Sequence, residues 1–577
     1  MAAPPADGTD LSRDPFWTQF KSFGYVYWVA NWMELVERFA YYGVRVVLPV
    51  FMVAAFQKGG PELTQIQKGN IYAVWAVVQS FVPILSGGFA DRYGYKLNIA
   101  MSTVLKIIGY LIMGYTVTLA EWFGGMPLAE ARPMGADHAY EIFFLGAMFL
   151  AFGTAIFKPG IQGLIANQIP KNASSLGWGM FYQMVNVGGF IGPLIAGYLR
   201  VIKWEYVFLA CSAGIALNFI PLFFFREPAR HGDDRDGPFL LLYKAIHGLL
   251  EPRLFLFTIS FAGFWLMFYQ LFDILPNFID DWVDSRSAAD ALAAVLGSNV
   301  VPTVNGGNLP QEWMINLNAL LISVFAFAVG YLTGRMRSLR AIIVGIAISA
   351  IAIYMLGMSM NGWWILSAIA MFSLGEMMAS PTKMRYLAGI APKGKEGQYM
   401  GYVNFTVGIG WSIGSIVAGH LYEQQGDKVV LARRYLVQQE HLPAEQVEAI
   451  PKIDLLPFFE RTVGVDAWGT RRLLWETYEP YRMWLIFTLI GAASMLAIAA
   501  YNWLVTAADR NPEHSLNTRG GQWVRAFLIP ICAVLLTATV YYDWPIGLAL
   551  NAALFCLMLL VSLIGYDVPL TKSGDRT

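Results

Sequence analysis

Residues 87–96 read GGFADRYGYK, a basic run with three glycines set between apolar stretches near 71–90 and 97–118. About 20 apolar residues cross the hydrocarbon core as a helix. Each flank is long enough to span, so the run between them is a tight turn joining two antiparallel helices. Arg92 and Lys96 make the turn basic, and the positive-inside rule then places it in the cytoplasm. Residues 330–340, GYLTGRMRSLR, repeat the pattern: glycines at the end of one apolar run, then Arg335, Arg337 and Arg340 before the next. The echo implies two related halves.

The rest of the chain has the composition such an arrangement needs. Of 577 residues, 56% are hydrophobic and 14% charged, and the mean hydropathy of +0.48 is far too high for a soluble globular protein. With 40 basic and 40 acidic residues the formal net charge is zero, which gives no reason to expect nucleic acid as a partner. Cys211, Cys532 and Cys556 lie in apolar spans at no metal-ligand spacing and read as small core residues. The six histidines do not cluster, so no metal is expected. An enzyme would need a nucleophile with its base or a metal cluster, and a sensor would need a soluble signalling domain; neither is apparent. No nucleotide-binding sequence of the Walker type occurs. The start, MAAPPADGTDLSRDPFW, lacks the pattern of a cleaved signal peptide, so the N-terminus is expected to stay cytoplasmic.

Counting on the same ruler gives an all-α polytopic membrane protein of about fourteen spans. The expected organisation is a cytoplasmic tail (1–23), a six-helix bundle (24–225), a cytoplasmic amphipathic linker (226–252) and a second six-helix bundle (253–506) carrying an extracytoplasmic insert (423–480). A cytoplasmic loop (507–523), an additional helix pair (524–566) and a cytoplasmic tail (567–577) follow. The GxxxDRxGxK turn, with Gly87, Asp91, Arg92, Gly94 and Lys96, resembles the loop signature of the major facilitator superfamily. That resemblance implies six plus six helices around a central cavity, with substrate bound near the bilayer midplane.

Charges inside the spans carry the functional signal. Glu34, Glu37, Arg38, Tyr41 and Arg45 fall at offsets 0, 3, 4, 7 and 11, and at about 100° per residue they form one stripe along the first helix. Each charge at a helix centre costs about 2.5–3.5 kcal/mol on insertion scales, so such groups face a wet cavity or each other. A self-neutralising Glu34–Arg38 pair is the purely structural reading. Lys158 and Glu376, lone charges deep in the fourth and tenth spans, call for partners on other helices. Two glutamates, an arginine and a lysine would form a network whose balance changes by one when a proton arrives, as proton-coupled transport requires. Lys106, in the third span, either snorkels or pairs with a neighbouring acid.

Five stretches in order are similar to the proton-dependent oligopeptide transporter family of that superfamily. They are ELVERFAYYGVR (34–45), GTAIFKPG (153–160), FYQMVNVGGFIGPLIAG (181–197), NLNALLI (316–322) and SLGEMMASPTKMRYLAGIAP (373–392). The resemblance implies a proton symporter that takes up di- and tripeptides or peptide-like zwitterions by alternating access. It needs no cofactor beyond the coupling proton, and it is expected as a monomer in the bacterial inner membrane with both termini cytoplasmic. Carried over, it makes Glu34 and Glu37 the proton-coupling acids, with Arg38 and Lys158 as their cationic partners. Arg45 and Lys158 would attract a peptide carboxylate and Glu376 its ammonium; Asn186 and Asn318 would bond its backbone, with Tyr42 on the wall.

Several positions depart from the family pattern. In FWLMFYQ (264–270) Tyr269 stands where the family has an acid, and Tyr402 stands where tryptophan is common; both would alter the pocket wall. Asp273, one turn beyond Tyr269, either takes over the titration or caps the outer end of its helix. Gly160 and Gln162 replace Asn and Ser after FKP, and Lys106 matches nothing in the family. These departures keep open a second reading, a relative that moves a larger or non-peptide compound, with export as an alternative to uptake.

Overall fold

A computed structural model describes residues 16–170, 173–225, 251–391 and 396–510, with isolated positions between and beyond. Twelve long helices cross the molecule among these residues. In the first half they are α1 (Tyr25–Val53), α2 (Gln65–Tyr93), α3 (Tyr95–Gly114), α4 (Ala139–Ala166), α5 (Ser174–Ile202) and α6 (Trp204–Phe224). The second half has α7, in the pieces Pro252–Phe268, Gln270–Asp273 and Leu275–Trp282, then α8 (Gln311–Gly334), α9 (Ser338–Leu356), α10 (Gly362–Ile390), α11 (Glu396–Gln425) and α12 (Met483–Arg510). Nine of the twelve are long and apolar enough to cross a membrane by length and composition. The other three, α1, α2 and α11, carry more of the polar groups used between helices.

The expected helix pair at 524–566, and with it the count of fourteen, lies outside the described residues, as do most of the 226–252 linker and the 507–523 loop. The turn between α2 and α3 is seen at Gly94, whose φ of 104° suits glycine and strains other residues. Beside it the Lys96 ammonium lies 4.7 Å from the Phe225 ring at the end of α6. The side chains of Asp91 and Arg92 lie outside the described residues.

Small residues set how closely the helices of the first bundle approach. A Cβ on Gly188 would lie 2.4 Å from the Leu35 carbonyl oxygen, and one on Gly192 would lie 2.3 Å from that of Phe39. Thus α5 lies against the backbone of α1 along the turn that carries the charges. Prolines act differently, by leaving the carbonyl four residues earlier without its helical donor. Pro159 frees the Ala155 carbonyl, which accepts from the Ser86 hydroxyl of α2 at 3.1 Å. Pro276 similarly frees the Phe272 carbonyl, and α7 breaks on either side of Gln270–Asp273.

The 423–480 insert is helical rather than a loose loop, with helices at Lys428–Gln438, Ala444–Glu448, Lys452–Val463 and Ala467–Tyr478. Leu431, Leu436, Leu455, Phe459 and Leu474 are buried in the same apolar cluster as the second bundle. Trp282, fully buried at the end of α7, packs on Trp475 and donates its indole N–H to the Gly426 carbonyl at 2.9 Å. The insert therefore caps the end of the second bundle opposite the Gly94 turn.

Gly192→Ala forces atoms into backbone and is expected to cost about 1–3 kcal/mol. Gly330→Ala, whose Cβ meets nothing within 4 Å inside a helix, should cost nothing and should raise stability by up to about 1 kcal/mol. Thermal unfolding of the purified protein in detergent reads both.

Candidate functional site: buried charges within and between the bundles

The α1 stripe folds into a closed ionic cluster. The Arg38 guanidinium lies 2.9 Å from Glu34 Oε1 and 2.6 Å from Glu37 Oε2. Neither contact is aligned as a hydrogen bond, since Arg38 Nε and Nη2 and Glu37 Oε2 all lack a directed partner. The aligned bond comes from α3. Lys106 Nζ donates to Glu37 Oε1 at 2.5 Å, with both residues fully buried. The same ammonium sits 4.1 Å from the Phe157 ring.

Lys158, expected as the cationic partner of the α1 acids, is not the one that reaches them. It lies within electrostatic reach of Glu34, Glu37 and Arg38 but makes no ion pair or hydrogen bond among the described residues. Packing explains the exchange. Gly153 leaves room on α4 for the Lys106 stem, because a Cβ there would lie 2.7 Å from Lys106 Cγ. Lys158, five residues further on, points about 140° round the helix from Gly153. A second departure is filled in the same way: a Cβ on Gly160 would lie 2.2 Å from Asn98 Oδ1, so an α3 side chain stands against that position.

Arg45 belongs to a different group, about 10 Å along α1 from Arg38. It forms an ion pair with Asp273 of α7, donates to the freed Phe272 carbonyl at 3.3 Å, and stands 4.2 Å from the Tyr72 ring. Arg45 was expected to meet a substrate carboxylate, but here it already has its counter-ion. Asp273 also accepts from Trp411 Nε1 at 3.1 Å and from the Ser415 hydroxyl at 2.7 Å. It thus joins the bundles and does not cap its helix. Tyr269 stacks on Trp411 at 4.3 Å with the rings 5° apart, packed against apolar clusters of both bundles.

Further bonds between the bundles lie on the same side. Arg200 of α5 reaches Glu312 at 2.7 Å and Asp280 at 2.9 Å, and Lys68 donates to Asn277 Oδ1 at 2.6 Å. Asn277 in turn donates to the Pro49 carbonyl at 2.8 Å. All these groups occupy the ends of their helices nearer the insert. Composition suggested none of these partnerships, because each joins helices far apart in the chain.

In the second bundle Asn318 donates to Glu376 Oε2 at 2.8 Å and to the Ser373 hydroxyl at 3.0 Å. The asparagine expected to bond a peptide backbone therefore holds the glutamate. Glu376 is half-buried and pairs with no cation among the described residues. It lies within electrostatic reach of Tyr42 and Tyr182 in the first bundle. Tyr182 is 44% exposed, and its carbonyl accepts from Asn186 at 2.8 Å. Tyr402, expected on the pocket wall, is instead buried in the second bundle against Phe405. Lys383, a buried α10 lysine to which the sequence reading gave no role, lies 4.3 Å from the Trp265 ring.

Two bundles of membrane-length helices, closed on one side by ion pairs and carrying charges between them, define a polytopic membrane transporter. The sequence model of the Major Facilitator Superfamily matches residues 32–297 and 287–432, and the chain belongs to that family. It is 22% identical over 481 residues to the peptide transporter YePEPT of Yersinia enterocolitica subsp. palearctica serotype O:3 (strain YE-P4), covering 68% of this chain and 87% of that one. It is 20% identical over 395 residues to the multidrug resistance protein MdtH of Salmonella paratyphi C, covering 66% and 83%. Its fold is that of solved POT family transporters. A complex with 5-aminolevulinic acid matches at a TM-score of 0.54 and 17% identity, over 76% of this chain and 96% of that one. The tetrameric PepTSo2 matches at 0.54 and 16%, over 85% and 99%.

Asp273→Ala leaves Arg45 buried without its counter-ion, and breaking such a pair costs about 3–5 kcal/mol. The double variant Arg45→Met/Asp273→Leu should lose much less. Chemical unfolding of the single and double variants measures the coupling.

Proposed function

We propose that the protein is a proton-coupled symporter of the oligopeptide transporter type, taking up short peptides or peptide-like zwitterions by alternating access. The observation that carries this reading is a pair of unmatched charges on opposite bundles. Lys158 makes no ion pair among the described residues, and Glu376 is held by an asparagine with no cation beside it. Opposite charges on the two bundles suit a ligand with a carboxylate at one end and an ammonium at the other. The buried acids of α1 supply the groups whose protonation would be coupled to movement.

Orientation follows from the basic turns. With the Gly94 turn in the cytoplasm, both termini of the twelve-helix body are cytoplasmic, the insert faces outward, and the ion pairs of Arg45 and Arg200 with the Lys68–Asn277 hydrogen bond close the outer side. The described conformation is then closed on its outer side. Residence in the inner membrane and action as a monomer belong to the same reading.

A second reading keeps the fold and changes the cargo to a larger or less zwitterionic compound, with export as an alternative to uptake. The Tyr269–Trp411 stack favours it, since an aromatic pair stands where the family carries an acid. The relative named for multidrug resistance is similar over most of its length.

The purified protein in liposomes should accumulate dialanine under an acid-outside gradient. Glu376→Ala removes a charge-assisted hydrogen bond worth about 1.5–3 kcal/mol, so dialanine uptake should weaken by about ten- to a hundredfold. Uptake of its N-acetylated analogue should barely change. Equal losses for the two would argue against the ammonium site, and binding of bulky amphiphiles without dialanine uptake would favour the second reading.

A further inference from the structure

We infer that Lys106 is the resident counter-ion of Glu37, so that Glu34 alone of the α1 acids exchanges the proton while Lys158 is left free for the anionic end of the cargo. The inference rests on reading α1 as the proton-handling helix, and it assigns that role to one carboxylate.

The five charged groups are unequally matched. Glu37 is met by Lys106 at 2.5 Å and Arg38 at 2.6 Å, and no part of it is exposed. Among the described residues Glu34 has only the shared Arg38, through Oε1, and its Oε2 is buried without a partner. Protonating Glu37 would strand the Lys106 ammonium, which has no other acid in contact among the described residues and only the Phe157 ring beside it. Leaving a fully buried ion unmatched costs several kcal/mol. Protonating Glu34 strands nothing, because Arg38 keeps Glu37.

The charge count gives the same assignment. Three cations against two carboxylates leave one positive charge over, and Lys158 is the cation without a contact. The titratable groups facing the pair from the packed helices are Arg38, Tyr41 and Tyr42 on α1, Lys106 and Tyr110 on α3, and Lys158 on α4. Cys211 on α6 stands beside Tyr110. Arg38, Lys106 and Lys158 all lie within electrostatic reach of Glu34, and of the three only Lys158 makes no ion pair among the described residues. A proton on Glu34 therefore raises the cluster's positive charge beside the group that would hold a carboxylate. Proton and anionic cargo would favour each other's binding with no direct contact between them.

The test requires no cargo. In pH-difference infrared spectra of the purified protein in nanodiscs, acidification should produce a protonated-carboxyl band that Glu34→Gln removes and Glu37→Gln leaves. Lys106→Met should add a second carboxyl component, and Lys106→Met/Glu37→Gln should abolish that component. If Lys106→Met does not fold, the double variant removes both charges together, and it should still show the Glu34 band. Loss of the band in Glu37→Gln, its persistence in Glu34→Gln, or no added component in Lys106→Met would overturn the assignment. Failure of dialanine uptake with the expected spectra would count against the peptide reading and leave the role of Lys106 standing.

Discussion

A carboxylate with no exposed surface must find its counter-charge inside the protein, and for Glu37 that charge comes from a neighbouring helix. The Lys106–Glu37 bond fixes the rotation of α3 against α1 and requires a residue without a side chain at Gly153. It also leaves Arg38 to be shared sideways with Glu34. Gly188 and Gly192 bring α5 onto the opposite flank of the same α1 turns, so the cluster is enclosed by backbone as well as by side chains. Water is thereby kept from the one group in the cluster whose charge is doubly matched.

The helices themselves were legible, because length and hydrophobicity decide what crosses a bilayer. The turn at 87–96 showed where they reverse. The stripe from Glu34 to Arg45 was legible for a related reason: period alone states that charges on one helix face one way. Period does not state which neighbour they face. The Lys106–Glu37 contact joins residues 69 apart in sequence, and its only local trace is a glycine at 153 in a span that also carries a lysine. Lys158 drew attention because its motif is familiar, whereas Lys106 lacked a motif and held the contact. Tyr402 shows the converse limit, since a position that the resemblance assigned to a wall is buried here. The insert was placed outside the membrane without a fold of its own; the spacing of Leu431, Leu436, Leu455 and Phe459 was the signal that it packs.

The acid of the seventh helix, at 273 and not at 269, stands at the break of that helix. Pro276 frees the Phe272 carbonyl, and Arg45 takes both that oxygen and the carboxylate of the next residue. An acid at 269 would lie one turn nearer the bilayer middle, where Tyr269 and Trp411 instead make an apolar stack. Moving the acid outward therefore moves the contact between the bundles outward and leaves the middle of the seventh helix without charge.

These two sites are joined by the stiffness of one helix. Arg38 and Arg45 are seven residues apart on α1, about two turns, and between them the helix is held by α5 through Gly192 and by the Tyr41 hydroxyl on Gln79 of α2 at 3.2 Å. A change in charge at Glu34 that drew Arg38 wholly onto Glu37 would act on a rod that also carries one side of the Arg45–Asp273 pair. An ion pair with several hydrogen bonds around one carboxylate tolerates little displacement, because each bond is directional. The cluster inside the first bundle and the clamp between the bundles can therefore respond to each other through rigid-body movement of α1, with no chain of side-chain contacts between them.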